Sequence, residues 1–141
     1  LVVHDDPARG RDQVLAALEY LWQEGGWTVV ADEIRALTDT QAPNLNLRAQ
    51  MERVWLRGRS RGVCLIAGTQ GPTWVPGSFY QQCSFFWMSR IKDGRAHKRI
   101  MEIGSMTKEH IPIIASVRKR DWLYGDDEED DTYMALTSVG K

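Results

Sequence analysis

Trp27-Thr28-Val29-Val30-Ala31-Asp32-Glu33 is the stretch whose reading decides the fold. The run from Trp27 to Ala31 is bounded by Gly25-Gly26 on one side and by two acids on the other. It reads as a short strand of the kind found in a parallel sheet covered on both faces. A strand of an open α/β sheet that ends in Asp-Glu places two carboxylates at the C-terminal edge, where such sheets bind ligands. In phosphoryl chemistry one carboxylate holds the hydrated Mg²⁺ on the nucleotide phosphates, and the next orients the attacking water. Acids after a strand also serve as ordinary helix N-caps, so the stretch alone leaves both readings open.

Working outward, Val14, Leu15, Leu18, Leu21 and Trp22 recur at helical spacing, which predicts a helix over Ala8–Glu24 that Gly25-Gly26 stops. Leu1–Val3 reads as a strand, followed by the loop His4-Asp5-Asp6-Pro7. Downstream, Thr38–Asn46 is polar and holds Pro43, so it reads as a loop. Leu47–Arg57 is a helix with Leu47, Met51, Val54 and Trp55 on one stripe, and Gly58–Gly62 is a turn. Val63-Cys64-Leu65-Ile66-Ala67 is a second unbroken strand, ending at Gly68-Thr69-Gln70. An amide at Gln70, if the two strands are neighbours, would stand beside Asp32 and Glu33, able to donate to a phosphate oxygen and accept from water. Gly68–Gly77 reads as an extended loop, Ser84–Met88 as a third strand and Ala96–Ile103 as a short helix. Pro112 leaves His110–Val117 open between strand and helix. The six acids Asp126–Asp131 form a solvated loop, and Tyr133–Val139 an edge strand. Strands alternating with helices predict an α/β domain with a mostly parallel sheet and flanking helices.

The chain has 141 residues, 43% hydrophobic and 26% charged, with a net charge of −1. That is the size and composition of one globular domain, and it excludes nucleic-acid binding by bulk charge, so any DNA contact needs a local basic patch. Cys64 and Cys83 lack CxxC or metal-ligand spacing, and we expect both to be buried small apolar residues in a reducing cytoplasm. His4, His97 and His110 are scattered, which argues against a metal centre built on histidine. Val63–Ala67, the longest clean apolar run, is far too short to span a membrane, so any membrane tether would lie outside this segment. Leu1-Val2-Val3 opens the chain without an initiator Met or a signal peptide, which we read as the start of a fragment or an excised domain, with a cytoplasmic location expected.

Arg57, Arg59 and Arg61 crowd the turn before the second strand. At a helix end they complement the dipole, and they can equally reach across a subunit boundary to a neighbour's nucleotide. With these residues in place, Val29–Pro76 resembles the FtsK/SpoIIIE and HerA motors and the related conjugative coupling ATPases. Those are P-loop ATPases of the additional-strand catalytic-glutamate type. There the Walker B strand ends in Asp-Glu, then an Arg-x-x-Gly turn leads into an apolar strand ending Ala-Thr-Gln-x-Pro. Here the counterparts are Asp32-Glu33, Arg59-Ser60-Arg61-Gly62 and Ala67-Gly68-Thr69-Gln70-Gly71-Pro72, with Gly68 and Gly71 departing from the pattern. Phe85–Arg90 resembles the family's next core strand, and Arg95 its following arginine.

The resemblance implies a RecA-like P-loop NTPase core, present here as the C-terminal part over 1–141, with Walker B, sensor strand and terminal strands. It implies ATP and Mg²⁺ as cofactors, and Glu33, Gln70 and Arg59 as catalytic residues. Asp32, Thr69 and Arg61 would bind nucleotide, Asp32 holding Mg²⁺ through water. It further implies a homo-oligomer, a hexameric ring that moves double-stranded DNA. The family's DNA-facing loop falls on Ala36–Leu47, with Arg48, Arg53 and Arg57 following on the helix. No GxxxxGK[ST] phosphate loop occurs in these residues, so the core is incomplete without an upstream part. Two other classes fit the same residues. One is a non-catalytic α/β interaction module. The other is a metal-dependent nuclease or hydrolase built on Asp5, Asp6, Asp32 and Glu33.

Overall fold

In the computed structural model, which describes residues 7–41, 45–103, 106–126 and 133–138, the strand at Trp27 pairs where its sequence directs it. The chain is a mixed α/β protein with a parallel strand pair and helices, and it divides into two compact units, 1–79 and 80–141. In the first, β1 (Thr28–Ala31) lies parallel to β2 (Cys64–Ala67), with Thr28 opposite Cys64 and Ala31 opposite Ala67. Between them the chain forms α2 (Ile34–Thr38) and α3 (Arg48–Arg57), after α1 (Pro7–Glu24). Val14, Leu18 and Leu21 of α1 are buried, as are Met51 and Val54 of α3, where the two helices meet. Ile34, Leu47, Val63, Val75 and Phe79 complete this core, and Trp55 stacks on Phe79 at 4.9 Å.

Helical segments replace parts of three expected loops. Ile34 and Thr38 face the core one helical turn apart, and the Thr38 hydroxyl donates to the Ile34 carbonyl at 3.0 Å. The turn before β2 is a 3₁₀ helix, Gly58–Arg61, and the segment after it carries another at Pro72–Trp74 and then α4 (Gly77–Gln81). The expected coverage of the strands is corrected in one respect. Thr28, Val30, Cys64 and Ile66 share a face that stays open, with Val30 71% and Ile66 38% exposed. An unbroken apolar run supplies apolar side chains to both faces, whereas the described helices cover one. Cys64, expected to be buried, is exposed for that reason, and Cys83 is half-buried.

The second unit is built on an antiparallel sheet, with β4 (Asp121–Asp126) between β3 (Phe85–Met88) and β5 (Tyr133–Ser138). Helices α5 (Gly94–Ile100) and α6 (His110–Ser116) close one side of its core, where Phe86, Met88, Ile100, Ile114 and Leu123 meet. Pro112 is tolerated in α6 because it falls in the first turn, where its missing N–H has no intrahelical acceptor to lose. Gly125 is required by packing: a Cβ there would stand 2.1 Å from the Phe86 ring across the ladder. Asp126 ends β4, while the rest of the expected acidic loop, Asp127–Asp131, lies outside the described residues, as do the expected strand Leu1–Val3, Pro43 and Val139. Among the described residues no helix is long and apolar enough to cross a membrane.

Candidate functional site at the C-terminal edge of the parallel strands

Both strands deliver their polar ends to the same edge. Asp32 follows β1 directly, exposed and without a side-chain partner among the described residues. Glu33 is extended (φ −131°, ψ 96°) and caps α2, its Oε1 accepting the Arg35 N–H at 3.2 Å. Its other oxygen, Oε2, accepts the Gln70 N–H at 3.0 Å. One carboxylate therefore ties the end of β1, the start of α2 and the segment after β2 together. The N-cap reading of the Asp-Glu pair thus holds for Glu33, which also stands at the C-terminal edge of the strand pair.

Gly68 explains how the two segments come so close. Its N–H donates to the Ala31 carbonyl at 2.7 Å and its carbonyl accepts the Ile34 N–H at 2.9 Å. A Cβ at this position would lie 2.4 Å from the Asp32 carbonyl oxygen. The glycine that departs from the resembled motif is thus what lets β2 continue the pairing past Ala67 and present Gln70 to Glu33. Gln70 is reached through its backbone; its exposed side chain has no partner among the described residues. Thr69 folds back locally, its Oγ1 accepting the Gly71 N–H at 3.0 Å.

Arg35, which the sequence reading passed over, stands beside this edge. Its guanidinium pairs with Asp39 at 3.1 Å and lies 4.4 Å from the centre of the Trp74 ring. The Asp39 carboxyl is held below the usual carboxylate range, first by the Gln41 N–H and then by Arg35. The signal was present in the sequence as a cation two residues after Asp-Glu with an acid four residues further on, but its ring partner, Trp74, is distant in the chain.

The two arginines of the turn lie elsewhere. Arg59 and Arg61 precede β2 and so sit at its entry end, while Glu33 and Gln70 sit at its exit end. A four-residue strand separates these ends by roughly 13 Å at ~3.3 Å per residue. Arg59 is exposed with no ion pair among the described residues; Arg61 lies over the Trp22 ring at 5.5 Å. Arg53 also stacks on Trp22, at 4.3 Å, and pairs with Glu19 at 3.1 Å. Arg48 pairs with Glu52 at 3.1 Å along its own helix. The segment after α2 turns back on it, with Leu45 and Leu47 N–H groups bonded to the Ala36 and Leu37 carbonyls. Asp5 and Asp6, which a nuclease centre would need, lie outside the described residues.

The fold so defined, a parallel strand pair with flanking helices followed by an antiparallel sheet, is similar to that of solved genome-packaging NTPases. The structure matches the DNA-packaging ATPase B204 of Sulfolobus turreted icosahedral virus with a TM-score of 0.71 at 13% identity, over 99% of this chain and 66% of that one. It matches the genome packaging NTPase B204 of Sulfolobus turreted icosahedral virus 2 in complex with ATP-gammaS at TM-score 0.64 and 16% identity, over 94% of this chain and 65% of that one. The same NTPase in complex with AMPPCP gives TM-score 0.62 at 14% identity, over 93% of this chain and 63% of that one. The chain thus spans 63% to 66% of the length of these proteins. No protein-family model and no curated protein matches the sequence.

Proposed function

We propose that the chain is the hydrolytic part of an ATP-driven, DNA-translocating motor of the FtsK/HerA type. The observation that carries this reading is the parallel register of β1 and β2, which brings Asp32, Glu33 and the Gln70 backbone to one sheet edge. The likeness in fold to packaging NTPases with ATP analogues supports the choice of nucleotide. The donor set fits the metal. Asp32 is a single unengaged carboxylate, which suits Mg²⁺ held mostly by water and phosphate oxygens rather than by an all-protein cage. Bound Mg²⁺–ATP supplies the reacting phosphoryl group, and the phosphate cradle comes from outside these residues.

Asp32 would hold the hydrated metal, and Mg²⁺ would there neutralise charge on the phosphates. Glu33 keeps its Arg35 N–H bond, exchanges the Gln70 N–H for the attacking water, and orients that water in line. Gln70, released from Glu33, responds to the γ-phosphate, so the 3.0 Å bond between them is the resting state of the edge. Thr69 lies next to the nucleotide. Arg59 and Arg61, at the far end of β2, serve the nucleotide of the adjacent subunit in a hexameric ring around double-stranded DNA. Arg59, free of any described ion pair, acts as the finger.

Glu33→Gln in the complete protein is expected to lower turnover about 10²–10⁴-fold, the usual contribution of a positioned acid or base, with nucleotide affinity retained. Unchanged turnover would overturn the assignment. A second reading, a non-catalytic interaction module, draws on the double engagement of Glu33 by backbone N–H groups, which a purely structural cap would share. On that reading Glu33→Gln changes stability alone.

A further inference from the structure

Away from the Glu33 edge, the outer face of the antiparallel sheet gathers aromatic rings. Alternation along β3 and β4 sends Phe86, Met88, Leu123 and Gly125 to the core and leaves Phe85, Trp87, Trp122, Tyr124 and Asp126 on the opposite side, the Asp126 carboxylate accepting the Tyr124 hydroxyl at 3.0 Å. Trp87 is 52% and Trp122 38% exposed. Trp87 packs against Phe85 at 5.3 Å and against Tyr124, its partner across the ladder, at 5.2 Å. These contacts hold the rings in place while much of the surface of Trp87 stays open to solvent.

Beside the rings lies an open concavity of about 550 Å³, lined by Arg90, Arg118, Lys119, Arg120 and Trp122. None of its four cations has an ion pair among the described residues. Asp121, which also lines it, has its carboxylate engaged by the Ser138 hydroxyl. The turn that carries three of the cations is tight: the Asp121 N–H donates to the Arg118 carbonyl at 3.1 Å, and Arg120 sits at φ 76°. That third turn position ordinarily takes glycine or asparagine, and a left-handed arginine costs roughly 1–2 kcal/mol. Glycine would relieve the backbone, so what arginine adds there is its charge.

We propose that this face binds single-stranded nucleic acid, with bases stacked on Trp87 and Trp122 and phosphates led past Arg90, Arg118, Lys119 and Arg120. The pairing of exposed rings with a cationic groove selects this occupant. An unpaired strand offers both open base faces and a regular row of phosphates, whereas a duplex hides its base faces inside the stack. A protein or peptide partner would have to bring acidic groups to four cations and apolar groups to the rings, and is the alternative outcome. The inference stands on residues other than those of the proposed ATPase edge, and its test contains no nucleotide.

The test is fluorescence anisotropy of a labelled oligo-dT bound to the full chain, over a series of salt concentrations, with an unlabelled duplex of equal length as competitor. Trp87→Ala and Trp122→Ala are each expected to weaken binding about 5- to 150-fold, the usual worth of one stacked base. Arg120→Gly, which relaxes the turn, is expected to melt no lower than the parent yet reduce the log–log salt slope by about 0.7, one phosphate contact on a single strand. Preference for oligo-dT over the duplex, with these losses, supports the proposal. It is overturned if the parent does not bind oligo-dT, if the duplex competes equally, or if Arg120→Gly retains the parent's salt slope while both tryptophan variants bind as the parent does.

Discussion

At Gly68 the absence of one carbon sets the geometry of the whole sheet edge. Its backbone fills the space against Asp32, so any side chain must push β2 away from β1 just where Glu33 and Gln70 meet. Gly68→Ala is expected to cost about 1–3 kcal/mol, as overpacking does at a site without room, seen as a lower urea midpoint at unchanged slope. The Gln70 amide should also exchange its hydrogen faster, since its acceptor is displaced. An alanine variant as stable and as well protected as the parent would mean that the edge relaxes freely.

Residue identity alone made Asp32, Glu33 and Gln70 legible as a group, because an apolar run followed by acids or an amide marks a strand end. The contact itself was not legible. It runs through the Gln70 N–H, a group every residue but proline carries, so no sequence signal distinguishes it. Arg120 was hidden for the opposite reason: its positive φ sits in a residue type that does not advertise one. Cys64 was misjudged because an apolar stretch does not say how many of its faces a neighbour covers.

At the scale of elements, α1 and α3 are joined by apolar packing and by a charged clasp over it. Glu19 accepts from Gln23 at 2.8 Å and from Arg53 at 3.1 Å, and Arg53 lies on Trp22. The Gln23 amide, followed by Arg53, holds the Glu19 carboxyl below its ordinary value. A depressed carboxyl pKa contributes stability above the unfolded value, ~4.3, that is lost as pH falls through the lower folded value. Arg53→Ala should move the Glu19 titration, followed by NMR, part of the way back up, because the Gln23 bond remains. An unmoved titration would show that the clasp does not persist in solution.

Across the β3–β4 ladder the same kind of fit is made by a ring. Gly125→Ala should destabilise the second unit by about 1–3 kcal/mol, because Phe86 occupies the space. Phe86→Leu should relieve part of that cost when the two are combined, a coupling that a double-mutant cycle in denaturant reads directly. Strictly additive losses would place the clash elsewhere. The helical spacing of α1 and α3 made them readable from sequence, since each has one buried stripe. The outer face of β3 was not readable: Phe85, Phe86, Trp87 and Met88 are all apolar, so alternation leaves no mark on them.

At the scale of the whole molecule, Glu33 and Arg59 lie at opposite ends of the β1–β2 pair. One subunit cannot bring both to the same phosphate, so the motor reading requires that active sites form between subunits. The measurement that tests this most directly is ATP turnover by mixed assemblies of the complete protein. Arg59→Ala and Glu33→Gln subunits are each expected to be inactive alone, since an arginine finger is worth roughly 10³–10⁵ in rate. Random co-assembly of equal amounts pairs an intact Glu33 with an intact Arg59 at about one interface in four, so the mixture should regain up to about a quarter of parent turnover. Full activity of either variant alone, or no recovery in verified mixed assemblies, would contradict the account.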